Sequence, residues 1–332
     1  MTGSRARAVV LTAPGLDPPP QLADLEDDLD LHVVDAEGLA SALGGARVLF
    51  LWDFFSPAVA QAWDSADALE WIHVAAAGVD SLLFPALVRS PVTVTNAQGV
   101  FDRPIAEFVL ASVLAHAKRL HESRELQRQH VWQHRETTLL QGQRVLVVGT
   151  GGIGRATVHL LRAVGCEVRA VGRRAVPDDP ELGEVVASDA LAAHVGWADH
   201  VVNAAPLTAA TTGLLDAAVF AAMRPGAHVV NIGRGASVVQ EDLLAALREG
   251  HLGGASLDVL EEEPPPPGSP VWDTPGLVLS AHLSGDVVGW RDTLAEQFVA
   301  NARRFLAGAP LSGVVDKELG YVPRSPAGQV QV

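Results

Sequence analysis

A single cysteine, Cys166, leaves the chain no internal disulfide and fits a reducing cytoplasm. Basic residues are also scarce. Lys and Arg number 24 against 39 Asp and Glu, and the formal net charge of -15 argues against a broad nucleic-acid surface or a face for anionic membranes. A local arginine can still hold a small anion against that field. No uninterrupted apolar run reaches membrane-spanning length, and the apolar run within residues 1–15 is too short for a secretory signal, so a cytoplasmic location is expected. What is present is 332 residues with 48% hydrophobic content, enough to bury a large core and to favour two domains over one.

The chain is organised around residues 144–154, RVLVVGTGGIG, where a short apolar strand runs into Gly149, Gly151 and Gly154 and then into an amphipathic helix. This is a dinucleotide-binding signature. The first glycine allows a tight turn, the second lets backbone approach a pyrophosphate, and the third lets the helix pack on the strand, whose partner helix offers unpaired amides to the anion. The plainer reading is a glycine-rich turn without a ligand, but Val145–Val148 before it and Val158, Leu160, Leu161 and Val164 after it supply the required context.

In the first hundred residues, strands near 6–13, 30–35, 47–53, 71–76 and 92–96 alternate with helical patterns, one of which begins near Asp35 and closes at Gly44 and Gly45. This predicts a parallel α/β sheet without a nucleotide motif, suited to a substrate domain. Two stretches lie at carboxyl ends of predicted strands, where such sheets bind ligands. Trp52, Asp53, Phe54 and Phe55 either line a pocket or pack in a core or interface. Ala75, Ala76, Ala77 and Gly78 either expose amides to a carboxylate before a helix start or simply make a tight turn.

Residues 103–130 read as one long helix that carries the chain to the glycine-rich strand, with a domain boundary at its start. Arg119, Arg124 and Arg128 form a solvated face, and His116, His121, His130 and His134 lack the spacing of a metal site; none is expected. Trp132 with Leu139, Leu140 and Gly142 reads as an arm that packs on a neighbour.

The second strand of the nucleotide unit, residues 167–172, ends in Gly172 where an NAD-selective site has a carboxylate for the adenosine ribose. Arg173 and Arg174 follow, and guanidinium groups suit a 2'-phosphate, which predicts NADP(H) as the preferred cofactor with NAD(H) still usable. The other reading leaves both arginines in solvent. Strands at 199–204, 227–232, 254–259 and 277–281, with helices at 188–196, 215–223 and 240–249, complete a doubly wound sheet.

Each later strand ends in something polar: Asn203–Thr208, then Arg234, then Asp258, then His282. Singly, Arg234 can cap a turn, Glu263 can belong to a solvated acidic loop, and His282 can be an ordinary loop histidine. Jointly they suit hydride transfer to a 2-keto acid. Arg234 can hold the carboxylate and polarise the carbonyl, while His282 can give a proton as hydride arrives, its imidazolium favoured and its ring oriented by Glu263.

The stretches VVGTGGIGRA, VVNAAPLTAATTGLLDAAVFAAMRPGAHVVNIGRGASVVQEDLLAAL, GGASLDVLEEEP and SAHLSG resemble the D-isomer-specific 2-hydroxyacid dehydrogenase family over nearly the whole chain. The resemblance implies two Rossmann-like α/β domains: a doubly wound dinucleotide-binding domain, residues 103–285, inserted into a flavodoxin-like substrate domain, residues 1–102 and 286–332, with a C-terminal helix from about Asp286 to Leu306. It implies catalytic Arg234, Glu263 and His282. It implies cofactor contacts from Gly149, Gly151, Gly152, Ile153, Gly154, Arg173, Arg174, Ala205, Pro206, Thr211, Ile232, Arg234, Asp258 and His282. Substrate contacts fall to Trp52, Ala76, Ala77, Gly78, Arg234 and His282. The GRR stretch is similar to the glyoxylate and hydroxypyruvate reductase branch, which favours NADPH, and family members commonly pair as homodimers through the nucleotide domain. Two departures stand out: Ala281 precedes the histidine where the family usually has proline, and SGDVVGW replaces a commoner threonine-containing segment. Two relatives of the same fold give other readings: a formate or phosphite dehydrogenase, the formate branch having glutamine at the Glu263 position, and a nicotinamide-sensing corepressor-like module, against which stands the lack of long disordered or basic extensions.

Overall fold

The computed structural model describes residues 5–323. The chain divides into two compact units, one made of residues up to Val100 and from Val287 onward, the other of Phe101–Asp286. Residues 1–4 of the N-terminal stretch and 324–332 of the expected substrate domain lie outside the described residues.

The first unit is a parallel sheet of β1 (Ala6–Leu11), β2 (Leu29–Val34), β3 (Val48–Leu51), β4 (Trp71–Val74) and β5 (Thr93–Asn96), in the order β2-β1-β3-β4-β5. This is the flavodoxin-like order, with the chain reversing direction across the sheet between β1 and β3. Strands β3 and β4 are buried throughout, as a parallel sheet covered on both faces requires. Alternate side chains divide the two faces. Leu49, Leu51, Ile72 and Val74 pack with Leu39, Leu43, Val59 and Leu87. On the other face Phe50 stacks on Phe298 of the helix Trp290–Leu306, with ring centroids 4.0 Å apart and planes 2° apart, and Trp71 stacks on Phe298 and Phe305. The helix expected from Asp35 is shorter, Leu39–Leu43, because the Asp35 carboxylate accepts the Gly38 amide at 3.0 Å and folds residues 36–38 into a turn first.

The second unit is a sheet of β6 (Arg144–Val148), β7 (Glu167–Gly172), β8 (Val176–Asp179), β9 (Gly183–Ala187), β10 (His200–Asn203), β11 (His228–Asn231), β12 (Gly254–Leu257) and β13 (Leu277–Leu279). Its order is β13-β12-β11-β10-β6-β7-β9-β8, parallel except for β8 against β9. This is the doubly wound arrangement expected from the sequence, with its switch point between β6 and β10. The β8–β9 hairpin was not foreseeable from periodicity, since β8 is mostly exposed and carries no apolar alternation.

The single helix expected over 103–130 is two helices, Asp102–Ala117 and Leu120–Arg128, broken where Arg119 turns left-handed at φ 51°. The second has no buried residue to hold it in line with the first. Arg135 donates to the Arg119 carbonyl at 3.0 Å and fixes the corner.

Several histidines are internal. His200 Nδ1 lies 3.2 Å from His228 Nδ1, His228 Nε2 lies 3.1 Å from Ser256 Oγ, and the His116 ring stacks on His228 at 4.3 Å. Among the described residues no group of three or more His, Cys, Asp or Glu side chains is placed to hold a metal. In the first unit His73 is fully buried between Phe50, Trp71 and Phe298, with Nδ1 2.7 Å from Thr95 Oγ1 and Nε2 without a partner. Burial pushes His73 down to about 3; burial and the neighbouring His116 push His200 down to about 4. Unfolded imidazoles titrate near 6.5, so the unfolded chain binds more protons below that pH. Stability is therefore complete above pH ~6.5 and falls as pH drops, by about 2 kcal/mol per trapped imidazole by pH 5. Urea unfolding at pH 7.5 and pH 5 measures this, and His73→Leu is expected to remove its share of the difference. Equal stability at the two pH values would contradict the trapping.

Candidate dinucleotide and proton-transfer site

At the end of β6 the chain turns through Gly149, whose φ of 119° and approach to the Ala204 carbonyl leave no room for a Cβ. Its amide donates to the Val171 carbonyl at 2.8 Å, joining the turn to β7. A Cβ on Gly154 would run into the Gly149 carbonyl, so this glycine lets the helix Gly152–Ala163 close against the turn. Gly151 opens onto space, and Gly152 and Ile153 begin the helix with no side-chain cap, leaving its first amides to an anion. Gly152 also abuts the Asp102 carboxylate, a contact between residues 50 positions apart that no local pattern announces.

Gly172 closes β7 with its α-carbon facing Val185 Cγ1 and Thr150 Cγ2, which a Cβ would approach to 3.0 and 3.1 Å. That crowding leaves little room for a carboxylate-bearing side chain here. Arg173 and Arg174 follow, both exposed, and neither has a hydrogen-bond or ion-pair partner among the described residues.

Across the switch point the ends of β10 and β11 are coupled by a pair of asparagines. Asn203 Nδ2 donates to Asn231 Oδ1 at 2.9 Å; Asn203 Oδ1 accepts the Ala205 amide, and Asn231 Oδ1 accepts the Gly233 amide, both at 3.2 Å. Asn231 Nδ2 then donates to the Arg234 carbonyl at 3.1 Å. The pair shapes the loops carrying Ala205, Pro206, Ile232 and Arg234. Asn231 was not singled out in the sequence, although the repeated VVN at two strand ends marks it. Thr211 Oγ1 donates to the Pro206 carbonyl at 2.7 Å and so folds its own loop. Ala205 and Ile232 are buried, and Arg234 is half-buried with Nη1 donating to the Gly233 carbonyl at 2.8 Å.

Asp258, expected to touch the cofactor, is 2% exposed and is engaged within the protein. Its Oδ1 accepts Ser280 Oγ at 2.6 Å and the Leu283 amide at 2.9 Å, its Oδ2 accepts the Ser284 amide at 3.0 Å, and its carbonyl accepts the His282 amide at 2.9 Å. It thus builds the loop that holds His282 left-handed at φ 51°, a conformation that persists only when its surroundings impose it.

His282 Nδ1 lies 2.8 Å from Glu263 Oε2, while Glu263 Oε1 accepts the Leu260 amide at 2.8 Å. Burial alone would raise the Glu263 carboxyl, but the His282 hydrogen bond, the Leu260 amide and the nearby His282 and Arg234 charges outweigh it and hold the group below its ordinary value. An imidazole held by a carboxylate through Nδ1 leaves its Nε2 as the nitrogen from which a proton can pass. The structure thus brings His282 and Glu263 into contact, with the Arg234 charge acting on the same carboxylate.

In the first unit, Trp52 is buried and its Nε1 donates to the Asp17 carbonyl at 3.0 Å, so it serves as a wall. Leu16, Trp52, Asp53, Phe54, Phe55, Trp290 and Arg291 line a small cavity where the chain leaves β1 and β3, at that sheet's switch point. No helix starts after β4, as one reading had it; bends and turns run on to the helix Pro85–Arg89. The loop is instead fixed through its carbonyls. Ala76 O accepts the Ala97 amide at 3.0 Å and Ala77 O accepts Asn96 Nδ2. Trans peptides point N–H opposite to C=O, so the amides of Ala77 and Gly78 face away from those contacts, and the amides of Ala76, Ala77 and Gly78 donate to no acceptor among the described residues.

Residues 110–284, more than half of the chain, match the model for the D-isomer specific 2-hydroxyacid dehydrogenase, NAD binding domain. The chain belongs to the D-isomer specific 2-hydroxyacid dehydrogenase family. As a D-2-hydroxyacid dehydrogenase it is an NAD(P)-dependent oxidoreductase. It is 29% identical to glyoxylate/hydroxypyruvate reductase A of Serratia proteamaculans over 259 residues, covering 76% of this chain and 82% of the relative. It is 30% identical to hydroxyphenylpyruvate reductase of Plectranthus scutellarioides over 287 residues, covering 85% and 87%. Among solved structures, the D-isomer specific 2-hydroxyacid dehydrogenase of Xanthobacter autotrophicus in complex with NADPH and MES is similar at a TM-score of 0.82 and 30% identity, covering 95% of this chain and 99% of that one.

Because Asp258 satisfies three donors of the His282 loop, Asp258→Ala is expected to cost about 2–4 kcal/mol in denaturant unfolding. A loss below about 0.5 kcal/mol would mean that the loop holds its shape without the carboxylate.

Proposed function

We propose that this dehydrogenase reduces a 2-keto acid to the D-2-hydroxy acid with hydride from NADPH, NADH being the poorer donor. The observation that carries the reading is the His282–Glu263 contact at 2.8 Å in a nicotinamide-dinucleotide-binding unit. When bound, the nicotinamide supplies the hydride. His282 supplies the proton to the carbonyl oxygen, Glu263 holds and orients the ring by Nδ1, and Arg234 binds the substrate carboxylate and polarises the carbonyl. The unpaired amides of Ala76, Ala77 and Gly78 take the carboxylate as well. Arg173 and Arg174 take the 2'-phosphate, and the crowding around Gly172 supports the same preference.

For the substrate's side chain, the relatives named glyoxylate/hydroxypyruvate reductase and hydroxyphenylpyruvate reductase support both small and aromatic 2-keto acids as candidates. Assembly as a homodimer through the nucleotide-binding unit is supported by Trp132 and Leu139, which are exposed on the segment after the helix Leu120–Arg128. A reducing cytoplasm suits the lone buried Cys166.

Steady-state oxidation of NADPH and NADH against glyoxylate, hydroxypyruvate, pyruvate, phenylpyruvate and branched 2-keto acids tests the reading. NADPH turnover on at least one member, faster than with NADH, is expected; no turnover on any member with either cofactor would overturn the enzymatic assignment. His282→Ala is expected to lose at least ~100-fold in kcat with cofactor binding retained, as removal of a general acid should. Near-normal turnover would remove His282 from that role.

A further inference from the structure

Arg155 follows the last signature glycine in the first turn of the helix Gly152–Ala163, yet it is only 9% exposed. An arginine at that depth needs its donors filled. Its Nε donates to the Thr150 carbonyl at 3.1 Å, inside the glycine turn, and its Nη1 and Nη2 grip the Asp179 carboxylate at 2.8 and 2.6 Å. Glu181 lies 3.3 Å from the same guanidinium. Asp179 in turn accepts the Glu181 and Leu182 amides, each at 3.0 Å, so the turn between β8 and β9 is folded around the carboxylate that Arg155 holds. Bidentate geometry fixes orientation as well as distance.

The path of the chain shows what this fixing controls. Strand β9 lies between β7 and β8, parallel to the first and antiparallel to the second. The chain therefore leaves β7, crosses over the carboxyl end of β9 and descends along β8, and the crossing consists of Arg173, Arg174 and Ala175. Two strand spacings are about 9.5 Å, and the four Cα–Cα steps available, about 3.8 Å each, reach no further than about 15 Å, so the crossing is short and its position is bounded by where β8 begins. Wherever β8 sits, the two arginines follow. Strand β8 itself is an exposed edge with an irregular register, weakly held by pairing alone. The Asp179 grip supplies the missing anchor, and Arg162, two turns along the same helix, adds bonds to the Glu181 and Leu182 carbonyls at 2.9 and 2.7 Å.

We infer that Arg155 and Asp179 are positioning residues for cofactor selectivity: their part-buried, bidentate ion pair ties the hairpin to the glycine turn and so sets Arg173 and Arg174 where they meet a 2'-phosphate. The inference rests on the NADPH reading above. It differs from it in assigning selectivity to a pair that touches no phosphate.

The test is direct binding, read by the fluorescence of NADPH and NADH titrated against the full-length wild type, Asp179→Asn and Arg155→Lys, with circular dichroism to confirm folding. Asp179→Asn keeps the volume and removes the charge; Arg155→Lys keeps the charge and removes the fork. Both are expected to raise the NADPH Kd about tenfold and leave the NADH Kd within about twofold. Equal weakening of both cofactors, or no change in either, would overturn the positioning role. Should Asp179→Asn not fold, Arg155→Lys carries the same comparison, and loss of folding in both variants would make the pair a stability element and overturn the inference. If the wild type already binds NADPH and NADH equally, while Arg173→Ala with Arg174→Ala changes neither, the NADPH reading falls and this inference with it.

Discussion

A parallel sheet ends all its strands on one edge, and most of what this protein offers to a ligand follows from that constraint. In the nucleotide-binding unit the edge gathers the glycine turn after β6, the arginines after β7, the asparagine-held loops after β10 and β11, and the loops after β12 and β13 with Glu263 and His282. Backbone at a strand end has lost its ladder partners, so each loop must find others. Buried side chains supply them here. Asn203 and Asn231 answer for two loops, Asp258 for a third, and Asp179 for the hairpin.

Exposed and buried polar groups accordingly divide the work. The residues proposed to carry the chemistry, Arg234, Glu263 and His282, are partly open, while the asparagines and Asp258 that hold their loops are nearly closed to solvent. The cost is carried locally: His282 is left-handed because Asp258 holds its loop from both sides, and Arg155 is desolvated because Asp179 and Thr150 fill its donors. The first unit uses the same device with one backbone and one side-chain donor, tying the Ala76 and Ala77 carbonyls to the Ala97 amide and to Asn96 at the end of β5 so that the amides turn the other way.

The strands and the glycine turn were legible because their signals are local: apolar runs of strand length, a GxGxxG between strand and helix, and polar residues at successive strand ends. Boundaries were less so. The helix after residue 102 reads as continuous because nothing in its composition announces a left-handed Arg119, whose carbonyl is held by Arg135 from another segment. The helix expected after Ala75–Gly78 gave way to turns, and the one expected from Asp35 was delayed by an aspartate bonding its own downstream amide.

By itself the sequence determined the class of fold, the binding of a dinucleotide and the candidacy of Arg234, Glu263 and His282, since each depends on residue types at short spacings along the chain. Only the tertiary structure decided which polar groups face a ligand and which face the protein. Asp258 looks like a site residue in a string of letters, but the partners of its carboxylate lie 22–26 residues away and take up its hydrogen-bonding groups, and Arg155, which nothing in the string sets apart, is gripped by Asp179, 24 residues away. That distinction depends on burial and on long-range partners, and neither is a property of local sequence.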